Sequence, residues 1–416
     1  MLIKFGYGNT TQDVEIPEKN LISVLKANPI EHKFIGVTAV EQALQNPINS
    51  KKLSEFDLTG KKVAIVTSDI SRPLPSWDIM PSLLDELYAA GAEAQNITVV
   101  LALGSHRQHT ADEKKHLVGD RCYEEVTVVD SDPNNCVSLG QTKAGTPIDF
   151  DKRVVNADFR IALGNVEFHY FAGYSGGYKA LMPGVSTPSA IQANHSMMTH
   201  PRACAGVMKD NPVRDDINEA GSKLGLDYIV NVVLDEHKNI VFGAAGDVFE
   251  AHKYAVEYLD KMYRCPIPEK ADIVLVSQGG APKDANLYQT QKALENAKYA
   301  VKDGGTIIVI GACNEGLGST KFESWFKEAN APSELIERVE TDFELGGHKA
   351  AAIAMVLSFA EIDLVSEMDP DFVRSLFLNP KASAQEAFDD AMKKYSDNAS
   401  VIAMPYGGAT LPILSK

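Results

Sequence analysis

Residues 161–195 bring together the side chains best suited to catalysis. His169 follows an apolar run, the glycine-rich turn Gly173–Gly177 comes next, and Lys179 and His195 follow the turn. An imidazole titrates near neutrality, at a pKa of about 6.5, which suits proton transfer. An uncharged amine can act as a nucleophile toward a cofactor. We therefore predict that this stretch is the centre of an enzyme site.

The glycine-rich turn matches neither of the common nucleotide-binding glycine patterns. Exposed amides of such a turn can still form a nest for an anion. Candidates to bind a phosphate are therefore Gly173, Ser175, Gly176 and Gly177. A plain turn is the alternative. Lys179 is a cation for that anion, a nucleophile toward a cofactor, or a solvated lysine.

A second histidine, His106, ends the strand-like run NITVVLALGSH. Two histidines on separate loops, His106 and His169, could flank a substrate from opposite sides, which is the arrangement that a two-base racemisation requires. Surface or helix-capping histidines are the alternative. His195 suits Zn, Ni, Cu or Fe, but one histidine specifies no metal, and its spacing to His200 is not a recognised motif.

Two further pairs of polar side chains are suited to a carboxylate. Asp69 and Arg72 share one loop, and an arginine can clamp a carboxylate through two hydrogen bonds. Gln289 and Lys292 share one face of a predicted helix and could close on the same anion from across a cleft. A surface ion pair and a solvated helix face are the alternatives. The residues alone indicate an α/β enzyme that acts on a small anion with histidine acid–base chemistry.

The predicted strands place most of these side chains at one sheet edge. Val63–Val66 is a continuous apolar run, which is typical of a parallel strand buried on both faces. The runs NITVVLALGSH and FRIALGN predict two further strands. Asp69, Arg72, His106 and His169 lie in the loops that follow the C-terminal ends of these strands. In open α/β sheets, ligands bind at that edge.

The rest of the chain predicts two α/β units. The predicted elements are a hairpin over residues 1–18, two strands over 229–246, a capping box at Thr110–Glu113, and helices over 37–57, 247–262, 348–358 and 370–394. A second unit begins at ADIVLVSQGG, after the proline-containing segment RCPIPEKAD, which is typical of a domain boundary. A length of 416 residues also favours two domains.

Composition limits the classes of function. A net charge of −16 argues against a nucleic-acid partner, although a few local cations can still form a pocket for a small anion. The five cysteines show no CxxC pair, so neither a disulfide framework nor a cysteine-based zinc site is predicted. No apolar run is long enough to span a membrane, and no signal-peptide pattern is present. We therefore expect a soluble cytoplasmic protein with no membrane partner.

Taken together, the segments resemble the lactate racemase family of nickel-pincer-nucleotide enzymes. The resemblance is carried, in this order, by SDISRPLPS, ALGSHR, EFHYFAGYSGGYKALMPG, ANHS, NPVRDDI, NVVLDEHK and GGAPKDANLYQTQKAL. It runs along nearly the whole chain, and the order and spacing of the segments are specific to that family.

The resemblance implies a nickel-pincer nucleotide as cofactor, made by separate biosynthetic enzymes. His106 and His169 match the two acid–base histidines of the family, and Lys179 matches the lysine that holds the cofactor through a thioamide. His195 matches the protein ligand to nickel. The cofactor supplies two sulfurs and a ring carbon as the other ligands, which explains why the sequence shows no cluster of histidines or cysteines. The glycine-rich turn is expected to receive the phosphate of the cofactor.

Other positions match residues near the substrate. Arg72, Tyr288, Gln289 and Lys292 match positions at the substrate carboxylate, and Asp69 matches an aspartate close to the site. The implied mechanism is proton-coupled hydride transfer. One histidine removes the hydroxyl proton of a 2-hydroxy acid, the hydride at C2 passes to the cofactor and returns to the other face, and the second histidine supplies the proton.

The sequence departs from the family pattern in two places. Residue 178 is a tyrosine rather than a cation, and Gly346–Lys349 replaces a stretch that carries a tryptophan near the lactate site. A histidine and a lysine there would suit a larger or more polar acid. We therefore predict a racemase or epimerase for a small anionic 2-hydroxy acid, with lactate as one candidate.

The expected fold is two α/β domains with parallel-type sheets and the site in the cleft between them. The resemblance implies that residues 1–265 and 397–416 form the cofactor-binding domain, and that 268–396 form a domain that closes on the substrate. Two other functions compete with this prediction. An NAD-dependent hydroxyacid dehydrogenase would need a GxGxxG fingerprint, which follows no predicted strand. A non-catalytic nickel- or nucleotide-binding protein would not need two histidines on opposite loops.

Overall fold

The protein, described here by a computed structural model of residues 1–395 and 397–415, alternates strands and helices along its length. The strands are β1 (Leu2–Tyr7), β2 (Thr10–Glu15), β3 (Leu21–Val24), β4 (Val63–Ser68), β5 (Ile97–Ala102), β6 (Thr127–Asp130), β7 (Cys136–Gln141), β8 (Pro147–Asp151), β9 (Phe159–Asn165), β10 (Phe168–His169), β11 (Gly173–Tyr174), β12 (Tyr228–Leu234), β13 (Ile240–Gly246), β14 (Arg264–Ile267), β15 (Ala271–Ser277), β16 (Val301–Ile310), β17 (Glu361–Val365), β18 (Asn379–Lys381), β19 (Val401–Met404) and β20 (Leu411–Leu414). The helices are α1 (Val37–Gln45), α2 (Ser76–Ala89), α3 (Ala111–Val118), α4 (Asp120–Glu125), α5 (Lys152–Val155), α6 (Pro188–Ser196), α7 (Pro212–Leu224), α8 (Val248–Tyr263), α9 (Leu287–Ala297), α10 (Thr320–Glu328), α11 (Pro332–Thr341), α12 (His348–Leu357), α13 (Pro370–Ser375) and α14 (Ala384–Tyr395).

Residues 30–261 form one compact unit around a six-stranded sheet. The strand order is β13-β12-β9-β4-β5-β6, and every pairing is parallel except that of β12 with β13. The inner strand β4 is buried from Val63 to Thr67 because helices cover the sheet, and its apolar side chains pack on those of α2. Each such aliphatic side chain contributes roughly 1.5–3 kcal/mol through burial. This sheet fixes the positions of the strand ends that carry the polar residues.

Residues 1–29 and 262–416 form the second compact unit, around a sheet with the order β18-β17-β16-β15-β19-β3. All five of its pairings are parallel. The predicted N-terminal hairpin is confirmed as β1 and β2. Its buried side chains Phe5, Val14 and Ile16 join the core that Phe388 of α14 also lines. The predicted class, α/β with parallel-type sheets, is thus what the chain adopts.

The structure divides the chain at different points from the predicted domains, 1–265 with 397–416, and 268–396. Strand β19 pairs with β15 on one side and β3 on the other, so the first 29 residues and the C-terminal tail belong to the unit that starts at residue 262. An apolar run such as Val401–Met404 shows that a strand exists. It does not show which sheet that strand joins.

Two predicted helices are also shorter than expected. Helix α1 ends at Gln45 rather than continuing to residue 57, because Pro47 disfavours a helical conformation at the preceding residue. The helix predicted over 370–394 is α13, β18 and α14 in succession. The break includes Phe377, whose φ of 62° is incompatible with a right-handed helix. Among the described residues, no helix combines the length and apolar character needed to cross a bilayer.

Candidate active site

Three neighbouring parallel strands present the candidate residues at one edge of the first sheet. In that sheet β4 lies between β9 and β5. Asp69 directly follows β4, His106 lies in the loop after β5, and His169 lies in the short strand β10, which follows β9 in the chain. The predicted placement at the carboxyl edge is therefore confirmed.

A carboxylate orients the His106 ring. Nδ1 of His106 lies 2.7 Å from Oδ2 of Asp69 and donates to it. The Ser71 hydroxyl donates to the other carboxylate oxygen at 3.0 Å and lies 3.1 Å from the same ring nitrogen. Because Nδ1 carries the proton, Nε2 of His106 is the nitrogen that can accept a proton from a ligand.

Asp69 is buried, whereas the side chains of its neighbours His106 and Arg72 are more exposed. Asp69 is 3% exposed, but the side chains of His106 and Arg72 are 33% and 50% exposed. Burial raises the pKa of the Asp69 carboxyl, yet the hydrogen bond from His106 and the charges of His106 and Arg72 outweigh it, so the net pKa lies below its ordinary value. Asp69 therefore stays ionised and holds the imidazole.

A second histidine, His109, fixes the loop that carries Asp69. Its Nε2 accepts a hydrogen bond from the Ile70 amide at 3.1 Å, so its Nδ1 carries the proton and donates to Asp130 at 2.6 Å. Lys114 completes the cluster at 3.1 Å from the same carboxylate. Sequence reasoning missed this pair, although Asp130 ends β6 and His109 follows β5, two neighbouring strands of one sheet.

His169 is held in the opposite tautomer to His106. Its Nδ1 accepts a hydrogen bond from the Ala172 amide at 3.2 Å, which leaves the ring proton on Nε2. The ring stacks on Tyr170 and meets Phe171 edge to face. Burial, followed by the charges of Lys179, His195, Arg72 and Arg214, lowers the pKa of His169 well below its ordinary value. His169 is therefore neutral at physiological pH.

Lys179 lies on a single turn of 3-10 helix, Gly177–Ala180, just after the glycine-rich turn. Among the described residues, no group lies within hydrogen-bond or ion-pair distance of its Nζ. Burial and the charges of Arg214 and Arg72 lower the pKa of Lys179 well below its ordinary value, against an opposing effect of Glu167. The structure therefore favours the uncharged, nucleophilic amine.

His195 projects from α6 and is 7% exposed. Its Nδ1 lies 3.0 Å from Oδ1 of Asn194, and its ring meets Phe171 edge to face at 4.8 Å. Asn194 is itself fixed, since its amide donates to Asp216 at 2.8 Å. In the described part of the chain, no three histidine, cysteine or acidic side chains are arranged to hold a metal.

Several polar groups of the glycine-rich turn are hydrogen-bonded within the fold. The amides of Ser175 and Gly177 donate to the Glu167 carbonyl and to Asn231, and the Ser175 hydroxyl donates to the Asn165 carbonyl. Nε2 of His252 donates to the carbonyl of Ser175 at 2.7 Å. Sequence reasoning missed Asn231 and His252 because they come from distant elements, β12 and α8.

Gly173 and Gly176 are explained by close packing. Both have positive φ angles, 77° and 80°. A Cβ atom would lie 2.2 Å from the Val207 carbonyl oxygen at Gly173, and 2.8 Å from Oδ1 of Asn231 at Gly176. These glycines bring the backbone that carries Lys179 close to its neighbours.

The residues predicted to bind the substrate carboxylate fall into both units. Arg72 belongs to the first sheet's edge, whereas Tyr288, Gln289 and Lys292 lie in the first two turns of α9 in the second unit. Lys349, which is 5% exposed, donates to the Tyr288 carbonyl at 3.0 Å and to the Gln291 side chain at 2.8 Å. Lys349 therefore supports the start of α9 and is not a solvated lysine.

The chain is similar to known proteins along most of its length. Residues 7–206 match the lactate racemase N-terminal domain and residues 267–411 match the lactate racemase C-terminal domain. The chain is 31% identical to the lactate racemase of Thermoanaerobacterium thermosaccharolyticum, with 97% of both chains covered. It is also 31% identical to the lactate racemase of Lactiplantibacillus plantarum, with 97% of this chain and 98% of that protein covered.

Solved structures show the same fold. The lactate racemase apoprotein from Thermoanaerobacterium thermosaccharolyticum matches with a TM-score of 0.90 and 30% identity over 100% of both chains. A protein from Thermotoga maritima matches with a TM-score of 0.63 over 91% of this chain and 97% of its own, but its 19% identity supports a shared fold alone. Both domain models and both relatives point the same way: the chain belongs to the lactate racemase family and is a racemase-type enzyme, an isomerase.

Proposed function

We propose that the protein inverts the C2 stereocentre of a small 2-hydroxy acid by proton-coupled hydride transfer. The observation that carries this proposal is the pair of histidines at one sheet edge in opposite tautomers. His106 presents an unprotonated Nε2 because Asp69 takes its Nδ1 proton. His169 presents a protonated Nε2 because its Nδ1 accepts from Ala172. One ring can therefore accept a proton while the other donates a hydrogen bond.

In one direction His106 acts as the general base. Its Nε2 takes the proton of the substrate hydroxyl, and the ionised Asp69 stabilises the imidazolium that forms. The product hydroxyl receives its proton from His169, which must therefore enter this direction as the imidazolium and leave it neutral, so that one proton is taken up and one is returned. A racemase must also run in reverse, where His169 has to be the base. As the base, His169 must carry its ring proton on Nδ1 instead of Nε2. The hydrogen bond that this exchange would break, from the Ala172 amide to Nδ1, is 3.2 Å long.

We assign the substrate carboxylate to Arg72, supported by Tyr288, Gln289 and Lys292. The Arg72 side chain is half exposed and lies 3.9 Å from Asp69, so its guanidinium remains available to an anion. Both relatives are named lactate racemase, so lactate is one candidate substrate. A larger or more polar 2-hydroxy acid is also within the proposal, because Gly346–Lys349 departs from the family pattern.

A nickel-pincer nucleotide fits the residues present. Lys179 offers an amine without a partner among the described residues, which suits covalent attachment. His195 offers an oriented imidazole, which suits nickel. When bound, such a cofactor supplies an acceptor that takes the C2 hydride and returns it. Separate biosynthetic enzymes would make this cofactor in the cytoplasm. The five free cysteines agree with a reducing compartment.

Two other functions make different demands on the chain. An NAD-dependent dehydrogenase needs a dinucleotide fingerprint, and none of the strand ends in the first sheet carries one. A non-catalytic nickel- or nucleotide-binding protein needs no acid–base pair. The oriented His106–Asp69 pair therefore favours the racemase.

The test is a substrate panel with the cofactor-loaded protein. Intact mass and metal analysis first establish that Lys179 carries the added group and that nickel is present. One enantiomer each of lactate, malate, phenyllactate and gluconate is then incubated without NAD. We expect at least one acid to reach a mixture of both configurations at C2.

Matched variants assign the chemistry. His106→Gln and His169→Gln should abolish turnover and keep nickel bound, whereas His237→Gln, at an exposed position in the β12–β13 turn, should leave the rate unchanged. No turnover of any of the four acids by a protein that carries both nickel and the mass increment would refute the proposal.

A further inference from the structure

Arg214 is a completely buried arginine that clamps the segment between His169 and Lys179. The residue is 0% exposed. Its Nε donates to the Ala172 carbonyl at 3.0 Å, and its Nη2 donates to the Tyr174 carbonyl. A planar guanidinium that binds two carbonyls at once fixes both the spacing and the orientation of those peptide groups.

Asn211 completes this clamp. Its Nδ2 donates to the Phe171 carbonyl at 2.9 Å. Its Oδ1 caps α7 by accepting from the amides of Val213 and Arg214 at 3.1 and 3.3 Å. Pro212 occupies the first position of the helix, where an N–H would have no hydrogen-bond acceptor within the helix. The first turn of α7 is therefore rigid, and it holds the backbone of residues 171–174.

The charge of Arg214 is not neutralised by a close partner. No carboxylate of the described chain lies within ion-pair distance of it, and its buried Nη1 has no hydrogen-bond partner there. Burial lowers the pKa of Arg214 to about 10, which still leaves the side chain charged at neutral pH. A cation in such surroundings acts strongly on its neighbours, because little solvent screens it.

Lys179 lies within the reach of that charge. After burial, Arg214 is the largest influence that lowers the pKa of Lys179, ahead of Arg72, and Glu167 opposes both. The charge of Lys179 in turn contributes to lowering the pKa values of His169 and His252. Arg214 comes from α7 and His252 from α8, whereas Arg72 and His169 come from segments that follow β4 and β9. Of the two arginines, Arg214 is the buried one.

We infer that Arg214 is the positioning residue of Lys179. It holds the backbone that leads from His169 to Lys179 and, as a permanent buried cation, favours the uncharged amine that a covalent attachment needs. The inference rests on the proposed function only where it treats that amine as the attachment point of a cofactor. The reactivity of the amine itself can be measured without any cofactor.

The test is the pH profile of Lys179 acylation in the cofactor-free protein. Trace acetic anhydride is applied from pH 6 to 10.5, and the Lys179 peptide is quantified by mass spectrometry relative to its plateau. Exposed lysines in the same digest serve as internal references. We expect Lys179 to react half-maximally well below the ordinary lysine value of about 10.4.

Three variants separate charge from geometry. Arg214→Met should raise the half-reaction pH of Lys179 by about one unit or more. Arg214→Lys keeps the charge but loses the two-carbonyl clamp, so it should shift the profile less while hydrogen exchange over residues 172–178 accelerates at least tenfold. Arg202→Met is the matched control. Arg202 is half exposed and also donates to two carbonyls, those of Lys209 and Asp210, so its replacement should move neither readout.

Each outcome decides the inference. A folded Arg214→Met protein with the parental profile would overturn it. Circular dichroism and thermal melting show whether Arg214→Met folds. If it does not, Arg214→Lys decides the inference. A parental rate of hydrogen exchange over residues 172–178 in Arg214→Lys would overturn the clamp. A shifted profile together with a loaded protein whose Lys179 carries no added mass would support Arg214 and refute only the attachment in the proposed function.

Discussion

A histidine that is one-third exposed becomes a directed base only when its ring is fixed, and Asp69 does this for His106. The carboxylate takes the Nδ1 proton at 2.7 Å and is itself held by the Ser71 hydroxyl. His109 and Asp130 then fix the loop through the Ile70 amide. The acid–base chemistry of one imidazole thus depends on a chain of hydrogen bonds that spans three strand ends.

Asp69→Asn should lower kcat by about 10²-fold, because a carboxamide neither stabilises the imidazolium nor enforces the tautomer of His106. KM should change little. Steady-state kinetics of the loaded enzyme measures both constants. Ser71→Ala is the control, since it removes one support of the carboxylate but leaves the ion, and its effect on kcat should be smaller. Nickel content and the mass at Lys179 should be parental in both variants. A parental kcat in Asp69→Asn would contradict the role.

Buried neutral histidines should make the protein sensitive to acid. Burial lowers the pKa values of His252 and His348 to about 3, whereas an unfolded histidine titrates near 6.5. Below that value the unfolded chain binds more protons than the folded chain. Stability should therefore fall as the pH drops from 6.5 toward 3, by up to about 1.4 kcal/mol per pH unit for each histidine.

Urea denaturation at pH 7.5, 6 and 5 checks this expectation. His252→Gln retains a donor for the Ser175 carbonyl but cannot bind a proton, so it should flatten the dependence of the unfolding free energy on pH. His237→Gln, in the exposed turn between β12 and β13, should leave the slope as it is. Equal slopes in the parent and in His252→Gln would rule out this source of acid sensitivity.

At the scale of elements, the turn before Lys179 is shaped by packing. Gly176 has a φ of 80° and a ψ of −177°, and Gly225, at the end of α7, has 83° and 150°. Both lie in a region that only glycine populates readily. A Cβ at Gly176 would meet Asn231, Val166 and His252, but a Cβ at Gly225 would meet nothing within 4 Å.

The two glycines therefore separate backbone strain from crowding. Gly225→Ala should cost about 1–3 kcal/mol of unfolding free energy through backbone strain alone. Gly176→Ala should cost about 1–3 kcal/mol more, because its methyl group must displace packed side chains. Urea titration of both variants measures the difference. Equal losses would mean that the turn can relax, and that Asn231 and His252 do not confine it.

Strand positions were the most predictable elements. The apolar runs in β4, β5, β9 and β15 mark strands buried on both faces, and the capping box at Thr110–Glu113 marks the start of α3. Elements without such signals were missed or misjudged. Strand β18 contains Pro380, and it interrupts a stretch whose helical periodicity continues on both sides.

At the scale of the whole molecule, the N-terminal 29 residues belong with the C-terminal part of the chain. The β1–β2 hairpin inserts Phe5, Val14 and Ile16 into the core of the second unit, and β3 pairs with β19 at one edge of its sheet. Burial of those three side chains contributes roughly 5 kcal/mol or more.

Deletion of residues 1–29 should therefore destabilise the second unit selectively. Limited trypsin digestion followed by mass spectrometry should release peptides from residues 262–416 first, while residues 30–261 remain resistant. The resistant region is the internal control within the same sample. Preferential digestion of residues 30–261 would instead support the division in which the N-terminus belongs to the first domain.

The sequence by itself determined the fold class, the strands that end at the candidate site, and the residues proposed to be chemically active. Periodicity and residue type are local properties, so Asp69, His106, His169, Lys179 and His195 could be found from their positions after apolar runs and from family resemblance. The placement of Asp69, His106 and His169 after strands of a parallel sheet required no further information.

Only the tertiary structure decided how those residues are tuned. The surroundings of Lys179 and the internal bonding of the glycine-rich turn depend on groups brought from distant elements: Asn211 and Arg214 from α7, Asn231 from β12 and His252 from α8. The tautomers of His106 and His169 depend on contacts with Asp69 and with the Ala172 amide. It also decided which sheet receives β3 and β19. Local patterns reveal which groups a chain carries, but desolvation, charge and hydrogen-bond partnership arise only when remote segments pack together.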